Sequence, residues 1–367
     1  MPRILLILFM SLVLSCSPRG QLSLAPETAQ LSDVTPVFVA TTRELKDGAF
    51  GTGRSESVRF ARFDVSIPPQ RELGQINWPP RGVTANPRKH FVVARQVLFA
   101  GKPDFRNDLS KSISDNGEEA VIFVHGYNNN FSEGLYRVAQ FAHDLELPGT
   151  VVHYAWPSAA IPLGYVYDRD STMFARDGLD ALIREVRASG AKKILLVSHS
   201  MGANLIMEAL RQTAIRGDDK TLAAVGGVIL ISPDIDVDVF RSQARMIGKL
   251  PQPFVIFGSG RDRFLRISAQ LTGQAERLGS LSDVSKVADL EVTLLDVSQF
   301  SEGAGHFTLG DSPALILLLD RIGDLEGAFE KDRIARIGLV SGVVLTVQSA
   351  TQVVLRPVVG VANELTR

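Results

Sequence analysis

The chain has 367 residues, of which 45% are hydrophobic and 22% are charged, and its formal net charge is −1 at pH 7. This composition is ordinary for a folded protein with a sizeable core, and the length allows one large domain or two smaller ones. A near-neutral chain without a basic stripe gives no reason to expect a nucleic acid as partner. With Cys16 as its one cysteine, the chain has neither a disulfide framework nor a cysteine-based metal site.

The first fifteen residues have the layout of a secretory signal peptide. A basic residue, Arg3, is followed by the apolar run 4–14 and then by the small residue Ser15. Residues 13–16 (VLSC) resemble the lipobox of bacterial lipoproteins, in which the signal is cut before the cysteine and that cysteine carries a diacylglycerol. We therefore predict a signal peptide over 1–15 and lipid attachment at Cys16.

The predicted lipid anchor has consequences for location. It would hold the protein at the bacterial cell envelope, and Ser17 in the next position favours the outer membrane, by resemblance to known lipoprotein sorting rules. An ordinary signal peptide and an N-terminal membrane anchor are the alternatives. Residues 16–32 are rich in Ser, Pro, Gly and Gln, and such a composition predicts a flexible tether.

Three strand candidates open the main domain, which we place at residues 33–325. They lie at 35–42, 58–67 and 90–99, with a Gly- and Ser-rich loop predicted at 48–57. Because no helix is predicted between these strands, we expect them to form an antiparallel edge. A short helix is predicted at 104–114.

From residue 118 onward, strands alternate with helices. The strands are continuous apolar runs, which is typical of strands that are buried on both faces of a parallel sheet. The predicted strands are 120–124, 150–155, 192–197, 223–231, 254–257 and 290–296. The predicted helices are 131–145, 171–189, 203–213 and 313–321. This order predicts an α/β class and an α/β-hydrolase fold, with a mainly parallel central sheet flanked by helices.

The segment Ser-His-Ser-Met-Gly at 198–202 stands between a predicted strand and a predicted helix. That arrangement is typical of a nucleophile elbow, a sharp turn that exposes a reactive serine, here Ser200. The usual pattern has glycine two residues before the serine, where this chain has Ser198. The turn needs small residues there because the strand and helix backbones crowd together, and serine is small.

A serine nucleophile requires a general base and an acid that orients the base. In α/β hydrolases the chain order is serine, acid, histidine, and His306 is the one histidine that follows Ser200. The acid in this fold usually follows the second strand after the elbow, which favours Asp262. Asp234 and Asp236 are the alternatives.

The developing oxyanion needs two N–H donors. One is predicted to be the backbone of Met201, directly after the nucleophile, and the other the backbone of Tyr127, in a loop that follows an earlier buried strand. His125, at the start of that loop, is predicted to brace it. The sequence has no His-x-x-x-His pair or calcium-loop pattern, so we predict neither a metal nor a cofactor.

These residues make the chain similar to a family of bacterial α/β hydrolases of largely unknown function, over about residues 37–319. The resemblance implies serine-hydrolase chemistry at Ser200, Asp262 and His306, and it leaves the substrate open. The motifs that carry it are Val-Ser-Ile-Pro at 65–68, Phe-Val-His-Gly-Tyr-Asn-Asn at 123–129, Trp-Pro-Ser at 156–158, Tyr167-Asp168, the elbow, Pro-Asp-Ile-Asp at 233–236, Asp262 and Gly305-His306.

The sequence thus predicts an enzyme that cleaves carboxylic ester or related acyl bonds in a small molecule or a lipid. The alternative is a catalytically silent member of the same fold that acts as a binding or scaffold lipoprotein. Residues 326–367 are predicted to form a separate C-terminal helical segment. Its uncharged part, 337–355, would dock on the domain or lie at the membrane surface, with a membrane span as the alternative.

Overall fold

The computed structural model describes residues 19–30, 34–273, 276–300 and 344–355. Within these residues, eleven strands form one sheet in the order β10-β11-β9-β8-β7-β6-β4-β5-β1-β2-β3. The strands are β1 (Val34–Lys46), β2 (Ala49–Ser66), β3 (Val92–Leu98), β4 (Glu119–Val124), β5 (Thr150–Ala155), β6 (Lys193–His199), β7 (Val225–Ile231), β8 (Phe254–Gly258), β9 (Thr293–Asp296), β10 (Val344–Val347) and β11 (Ala350–Val354).

Seven α-helices connect and cover these strands in the described part of the chain. They are α1 (Lys102–Asp115), α2 (Phe131–Asp144), α3 (Tyr165–Ala188), α4 (Gly202–Ile215), α5 (Asp219–Ala224), α6 (Val237–Ile247) and α7 (Arg263–Leu271). Short 3-10 helices lie at Pro26–Gln30, Leu278–Ser280 and Val284–Val287.

The sheet is parallel from β1 through β5, β4, β6, β7, β8 and β9 to β11, and it is antiparallel at both edges. β5 is buried along its whole length, as a central strand covered on both faces should be. Leu109 of α1, Leu179 of α3 and Leu205 of α4 belong to one core cluster, whereas Leu135 of α2 belongs to the other. The predicted α/β-hydrolase fold with an antiparallel N-terminal edge is confirmed.

The prediction of a loop at 48–57 is wrong, because residues 49–57 form the first half of β2 and Gly48 lies in the turn before it. β1 and β2 continue as a two-stranded hairpin in which Leu45 pairs with Phe50 and Arg43 with Arg54. The glycines and charged residues that suggested a loop alternate along the ribbon, where one side of each strand faces solvent.

The predicted C-terminal helix is also wrong over residues 344–354. β10 and β11 form a hairpin there, closed by Gln348 and Ser349, and β11 runs parallel to β9 with Thr351 paired to Thr293. Its many β-branched residues favour a strand over a helix. The hydrolase sheet therefore extends beyond residue 325, and the remainder of 326–367 lies outside the described residues. No helix in the described ranges has the length and apolar character needed to cross a bilayer.

The described part of the predicted tether is docked on the domain. Val93 of β3 donates a hydrogen bond to the Ser23 carbonyl at 2.8 Å and accepts one from the Ala25 N–H at 2.9 Å. This pairing covers the outer edge of β3, which would otherwise expose its polar backbone. A Pro-, Gly- and Ser-rich composition indicates irregular backbone, and it does not tell whether that backbone is bound to the domain.

Candidate active site

Ser200 forms a sharp turn at the carboxyl end of β6, between His199 and Gly202. Its φ angle is +51°, which is in the left-handed region. This conformation is unfavourable for any residue with a side chain, and it persists only where surrounding contacts impose it. Here the Ser200 N–H donates to the Ile231 carbonyl at 2.9 Å, and its carbonyl accepts from the Asp234 N–H at 3.2 Å. The predicted strand–turn–helix geometry around Ser200 is present.

Two glycines allow the elbow and the loop after β4 to touch. A Cβ atom at Gly202 would lie 2.5 Å from the His125 carbonyl oxygen, and one at Gly126 would lie 3.0 Å from the Ser200 Cβ. The Cβ at Gly126 would also lie 2.6 Å from the His199 Nδ1. Contacts of 2.5 and 2.6 Å are too short for non-bonded atoms, so a side chain at either position would force its neighbours to move. The loop that carries Gly126 and Tyr127 therefore lies directly against the nucleophile.

Ser198 takes the place of the usual first glycine without a steric conflict. It is fully buried in β6, beside Val124 of β4 and Leu230 of β7. Among the described residues, no group forms a hydrogen bond with its hydroxyl. This position requires a small side chain, and the described part of the structure shows no interaction that would require the hydroxyl group.

In the loop after β4, some backbone N–H groups donate hydrogen bonds to described residues and others do not. Asn128 donates to the Asp168 carboxylate at 3.0 Å, and Asn129 donates to the Ser158 hydroxyl at 3.2 Å. Within the described part of the chain, the N–H groups of Tyr127 and Met201 have no hydrogen-bond acceptor. The two segments that meet at Ser200 thus each carry one backbone donor that is available to a negative charge.

A buried arginine supports this loop from β1. The Arg43 guanidinium is fully buried and donates to the carbonyls of Asn129 and Gly51, both at 2.9 Å, and more weakly to that of Ser158 at 3.4 Å. Burial lowers the pKa of Arg43 to about 10, although the nearby Asp168 charge opposes that shift. The group therefore stays cationic at neutral pH.

Asp168, near the start of α3, is the acidic residue of this network. Its fully buried carboxylate accepts hydrogen bonds from the Ser158 hydroxyl and the Ala159 N–H, both at 2.6 Å, besides that from Asn128. Burial raises its pKa, and these hydrogen bonds and the Arg43 charge act in the opposite direction. Sequence reasoning did not identify Arg43 or Asp168 as supports of the loop, although Asp168 stands in one of the motifs.

His125 has a structural position. Its ring stacks on that of Trp156, with centroids 4.7 Å apart and planes 13° from parallel. Burial lowers its pKa well below the ordinary value, and the charge of Arg43 adds to this effect. The buried imidazole contacts the loop, because its Nδ1 lies 2.9 Å from the Gly126 carbonyl oxygen. The adjoining Trp156 is a core residue without solvent contact.

Asp262 lies at the carboxyl end of β8, the second strand after the elbow, where the acid was predicted. It is fully buried and caps α7 by accepting a hydrogen bond from the Leu265 N–H at 3.0 Å. Of the alternatives, Asp236 caps α6. Asp234 accepts from the Ser268 hydroxyl at 2.6 Å and pairs with Arg277 at 3.2 Å. Those two carboxylates therefore have structural partners of their own.

His306 and Cys16 lie outside the described residues. The chain that leads to His306 leaves β9 beside the Asp262 loop, because the Val297 N–H donates to the Gly258 carbonyl at 2.9 Å and the Gly260 N–H to the Ser298 hydroxyl at 3.1 Å. The structure thus brings Ser200, Met201 and Tyr127 together and places Asp262 at the same edge of the sheet. In the part of the chain that it describes, no three metal-binding side chains cluster.

The profile of a protein family described as alpha/beta hydrolase of unknown function (DUF900) matches residues 101–321, which is more than half of the 367 residues. The chain belongs to this family. The predicted family and fold are thereby confirmed. The DUF900 match includes the elbow, the loop after β4 and the Asp262 loop. The sequence matches no curated protein.

Among solved structures, the chain is similar to lipase B of Aspergillus fumigatus, with 16% identity and a TM-score of 0.28 over 39% of this chain and 38% of the lipase. The match therefore spans well under half of that lipase. It is also similar to an esterase of Rhizomucor miehei, with 12% identity and a TM-score of 0.37 over 81% and 86% of the two chains. A propionate-bound esterase of Thermogutta terrifontis has 12% identity and a TM-score of 0.33 over 78% and 91%.

Proposed function

We propose that this DUF900 protein is a serine hydrolase that cleaves carboxylic esters or related acyl compounds. The observation that carries the proposal is the elbow itself. Ser200 is held in a left-handed turn beside two backbone N–H groups, those of Met201 and Tyr127, that lack an acceptor among the described residues. Such a turn is costly and serves to present a nucleophile to an oxyanion site.

In the proposed reaction the Ser200 Oγ attacks the acyl carbon while His306 takes its proton and Asp262 orients the imidazole. The carbonyl oxygen becomes an oxyanion and accepts hydrogen bonds from Met201 and Tyr127. Collapse of this intermediate expels the alcohol, which receives the proton from His306, and leaves an acyl-serine. A water molecule, deprotonated by His306, then attacks the acyl-serine and releases the carboxylic acid and the free Ser200 hydroxyl.

We also propose that the enzyme is attached to the bacterial envelope, on the periplasmic side and preferably at the outer membrane. The lipobox-like residues 13–16 support this, since a diacylated Cys16 would provide a stable anchor. The partner at the active site is a small-molecule or lipid ester, and the chemistry requires no cofactor.

Kinetics with short-chain p-nitrophenyl esters test the proposed nucleophile. Ser200→Ala is expected to lower kcat by at least about 10³-fold, because the remaining oxyanion donors and substrate binding supply only residual catalysis. Ser198→Ala is the matched control, since that buried hydroxyl has no hydrogen-bond partner among the described residues. Its kcat should stay near that of the wild type.

Two results would contradict the proposal. Hydrolysis that survives in Ser200→Ala would remove the serine from the mechanism. A wild-type protein that hydrolyses no ester, thioester or amide in a broad panel would favour the silent binding protein instead.

A further inference from the structure

The edge of the sheet that carries Ser200 exposes large apolar side chains. In the segment between β5 and α3, Leu163 is 95% exposed and Ile161 is more than half exposed, and Val166 in the first turn of α3 is also more than half exposed. This segment touches the predicted oxyanion loop, because the Tyr127 hydroxyl donates a hydrogen bond to the Pro162 carbonyl. These apolar residues therefore lie beside the loop that carries Tyr127.

Helix α7 adds to this surface from the other side. Leu271 is 68% exposed and Ile267 more than half exposed, while Leu265 packs inward. The helix is tied to the first segment by a hydrogen bond of 2.6 Å between the hydroxyls of Tyr165 and Ser268. We call the set Ile161, Leu163, Val166, Ile267 and Leu271 the apolar rim.

Basic side chains accompany the apolar rim. Arg261, Arg263 and Arg266 are exposed, at the start of α7 and along its outer face. Apolar residues next to arginines suit the boundary between lipid headgroups and acyl chains, where the apolar side chains enter the hydrocarbon and the guanidinium groups meet phosphate. A patch of this kind on a water-exposed surface marks an interaction site.

The N-terminal segment reaches the domain at the same edge. Arg19 donates to the Asn128 carbonyl at 2.8 Å and forms an ion pair of 2.7 Å with Glu133. The Gly20 N–H donates to Glu133 at 3.0 Å as well. Asn128 directly follows Tyr127, so residue 19 is fixed beside the loop that touches the 161–166 segment.

The short stretch of chain between Arg19 and the predicted lipid determines which edge of the sheet would lie at the membrane. Only two residues, Ser17 and Pro18, separate Arg19 from Cys16, and the three residue steps from Cys16 to Arg19 span about 10 Å in a fully extended chain. A diacylglycerol on Cys16 would therefore hold the Ser200 edge of the sheet at the membrane, and it cannot reach far enough to present the opposite edge.

We propose that the apolar rim is a bilayer-binding surface, and that the active site opens toward the membrane and takes its ester from a lipid in that membrane. This inference rests on the proposed hydrolase function for its substrate, and on the rim and the N-terminal segment for its orientation. A second copy of the chain, or another protein, is the competing occupant of the rim.

Membrane depth can be measured at single introduced cysteines in the full-length lipoprotein. Lipidation of Cys16, the one native cysteine, leaves the introduced thiol as the only site for an environment-sensitive dye. Leu163→Cys is compared with Ile215→Cys, whose parent residue is also more than half exposed. Ile215 ends α4, a helix of 14 residues that starts beside Ser200 and leads away from it over about 20 Å.

The proteins are reconstituted into vesicles of phosphatidylcholine and phosphatidylglycerol that contain spin-labelled lipid. The dye at position 163 should be quenched by the lipid and protected from aqueous iodide, and the dye at position 215 should show the reverse. Iodide quenching at both positions would overturn the proposal. So would protection of position 163 without vesicles, in a concentration-dependent dimer.

The substrate half of the proposal is tested by the double variant Leu163→Asp and Leu271→Asp against Ile215→Asp. With a phospholipid in vesicles as substrate, the double variant should lose at least about tenfold in rate, since it removes apolar contacts with the bilayer. Hydrolysis of a soluble butyrate ester should change much less. Equal losses on both substrates, or no loss on vesicles, would overturn the proposal.

The two proposals fail in different ways. If the dye at position 163 enters the bilayer but the wild type hydrolyses neither substrate, the hydrolase function is wrong and the orientation is supported. If the wild type hydrolyses the soluble ester but the rim stays in water, the hydrolase function is supported and the orientation is wrong.

Discussion

The candidate site is formed by two touching segments, the elbow that carries Ser200 and the loop after β4, and they are held in place by different means. The elbow at 198–202 is positioned by close backbone packing around Gly202, with bonds to neighbouring strands. The loop at 126–130 is positioned by buried polar side chains, chiefly Arg43 and Asp168, which come from β1 and α3. One half of the site depends on the absence of a side chain, and the other depends on buried charges being satisfied.

The difference shows where each half is encoded. The elbow is specified by five consecutive residues. The loop depends on partners as far away as Arg43, which is 86 residues from Asn129 in the sequence. Mutations should therefore destabilise the two halves by different mechanisms. At the elbow the cause is steric overlap, and at the loop it is the loss of buried polar interactions.

The largest effect is expected at the loop, from Asp168→Ala. This change leaves three donors without their acceptor, each at a cost of about 1–3 kcal/mol, and it removes the carboxylate near the buried Arg43. Urea unfolding at pH 7 gives the loss, and kcat should fall as well because the loop no longer holds the Tyr127 N–H in place.

Asp170→Ala is the matched control on the same helix, because Asp170 is exposed. Its free energy of unfolding should stay within about 0.5 kcal/mol of the wild type. If Asp168→Ala were as mild as this control, the loop would not depend on its buried charges.

The next effect is expected at the elbow, from Gly202→Ala. The added Cβ would lie 2.5 Å from the His125 carbonyl oxygen, so backbone must shift at a cost of about 1–3 kcal/mol. The comparison is Gly260→Ala, where a Cβ meets no atom within 4 Å. Equal free energies of unfolding for the two variants would show that close packing does not shape the elbow.

A smaller, pH-dependent effect is expected from His153, which lies in β5 behind the loop. Its Nδ1 lies 3.1 Å from the Phe123 carbonyl, and burial lowers its pKa to about 3. The unfolded chain gains a proton near pH 6.5, whereas the folded chain does not until about pH 3. Stability from this group is thus complete above pH 6.5 and is lost as the pH falls, by at most about 1.4 kcal/mol per pH unit.

His153→Gln removes that titration and keeps an N–H that can donate to Phe123. Denaturant unfolding at pH 7.5 and pH 5 should show that the wild type loses about 2 kcal/mol more than the variant over this interval. An unchanged pH slope would mean that His153 is not held neutral in the folded protein.

The fold and the elbow could be predicted because their signals are local. Continuous apolar runs indicate buried parallel strands, and a small-residue turn between a strand and a helix indicates the nucleophile. The hairpin of β10 and β11 does not follow from such signals, because the length of 337–355 and its lack of charge suggest an apolar helix, whereas its β-branched residues favour strands.

The supports of the site could not be predicted in the same way. The sequence does not show that Arg43 in β1 is buried against the loop after β4, since strand order in space decides this. Nor does it show that residues 19–25 pair with Val93, because irregular segments carry no periodic signal. Both features depend on contacts between residues far apart in the chain.

The central claim is that Ser200 is an activated nucleophile, and covalent labelling tests it most directly. The wild-type protein is treated with a fluorophosphonate probe, and the modified peptide is located by mass spectrometry. The account predicts one adduct, on Ser200, which is absent in Ser200→Ala and retained in Ser198→Ala. No adduct on the folded wild type, or an adduct on another serine, would contradict it.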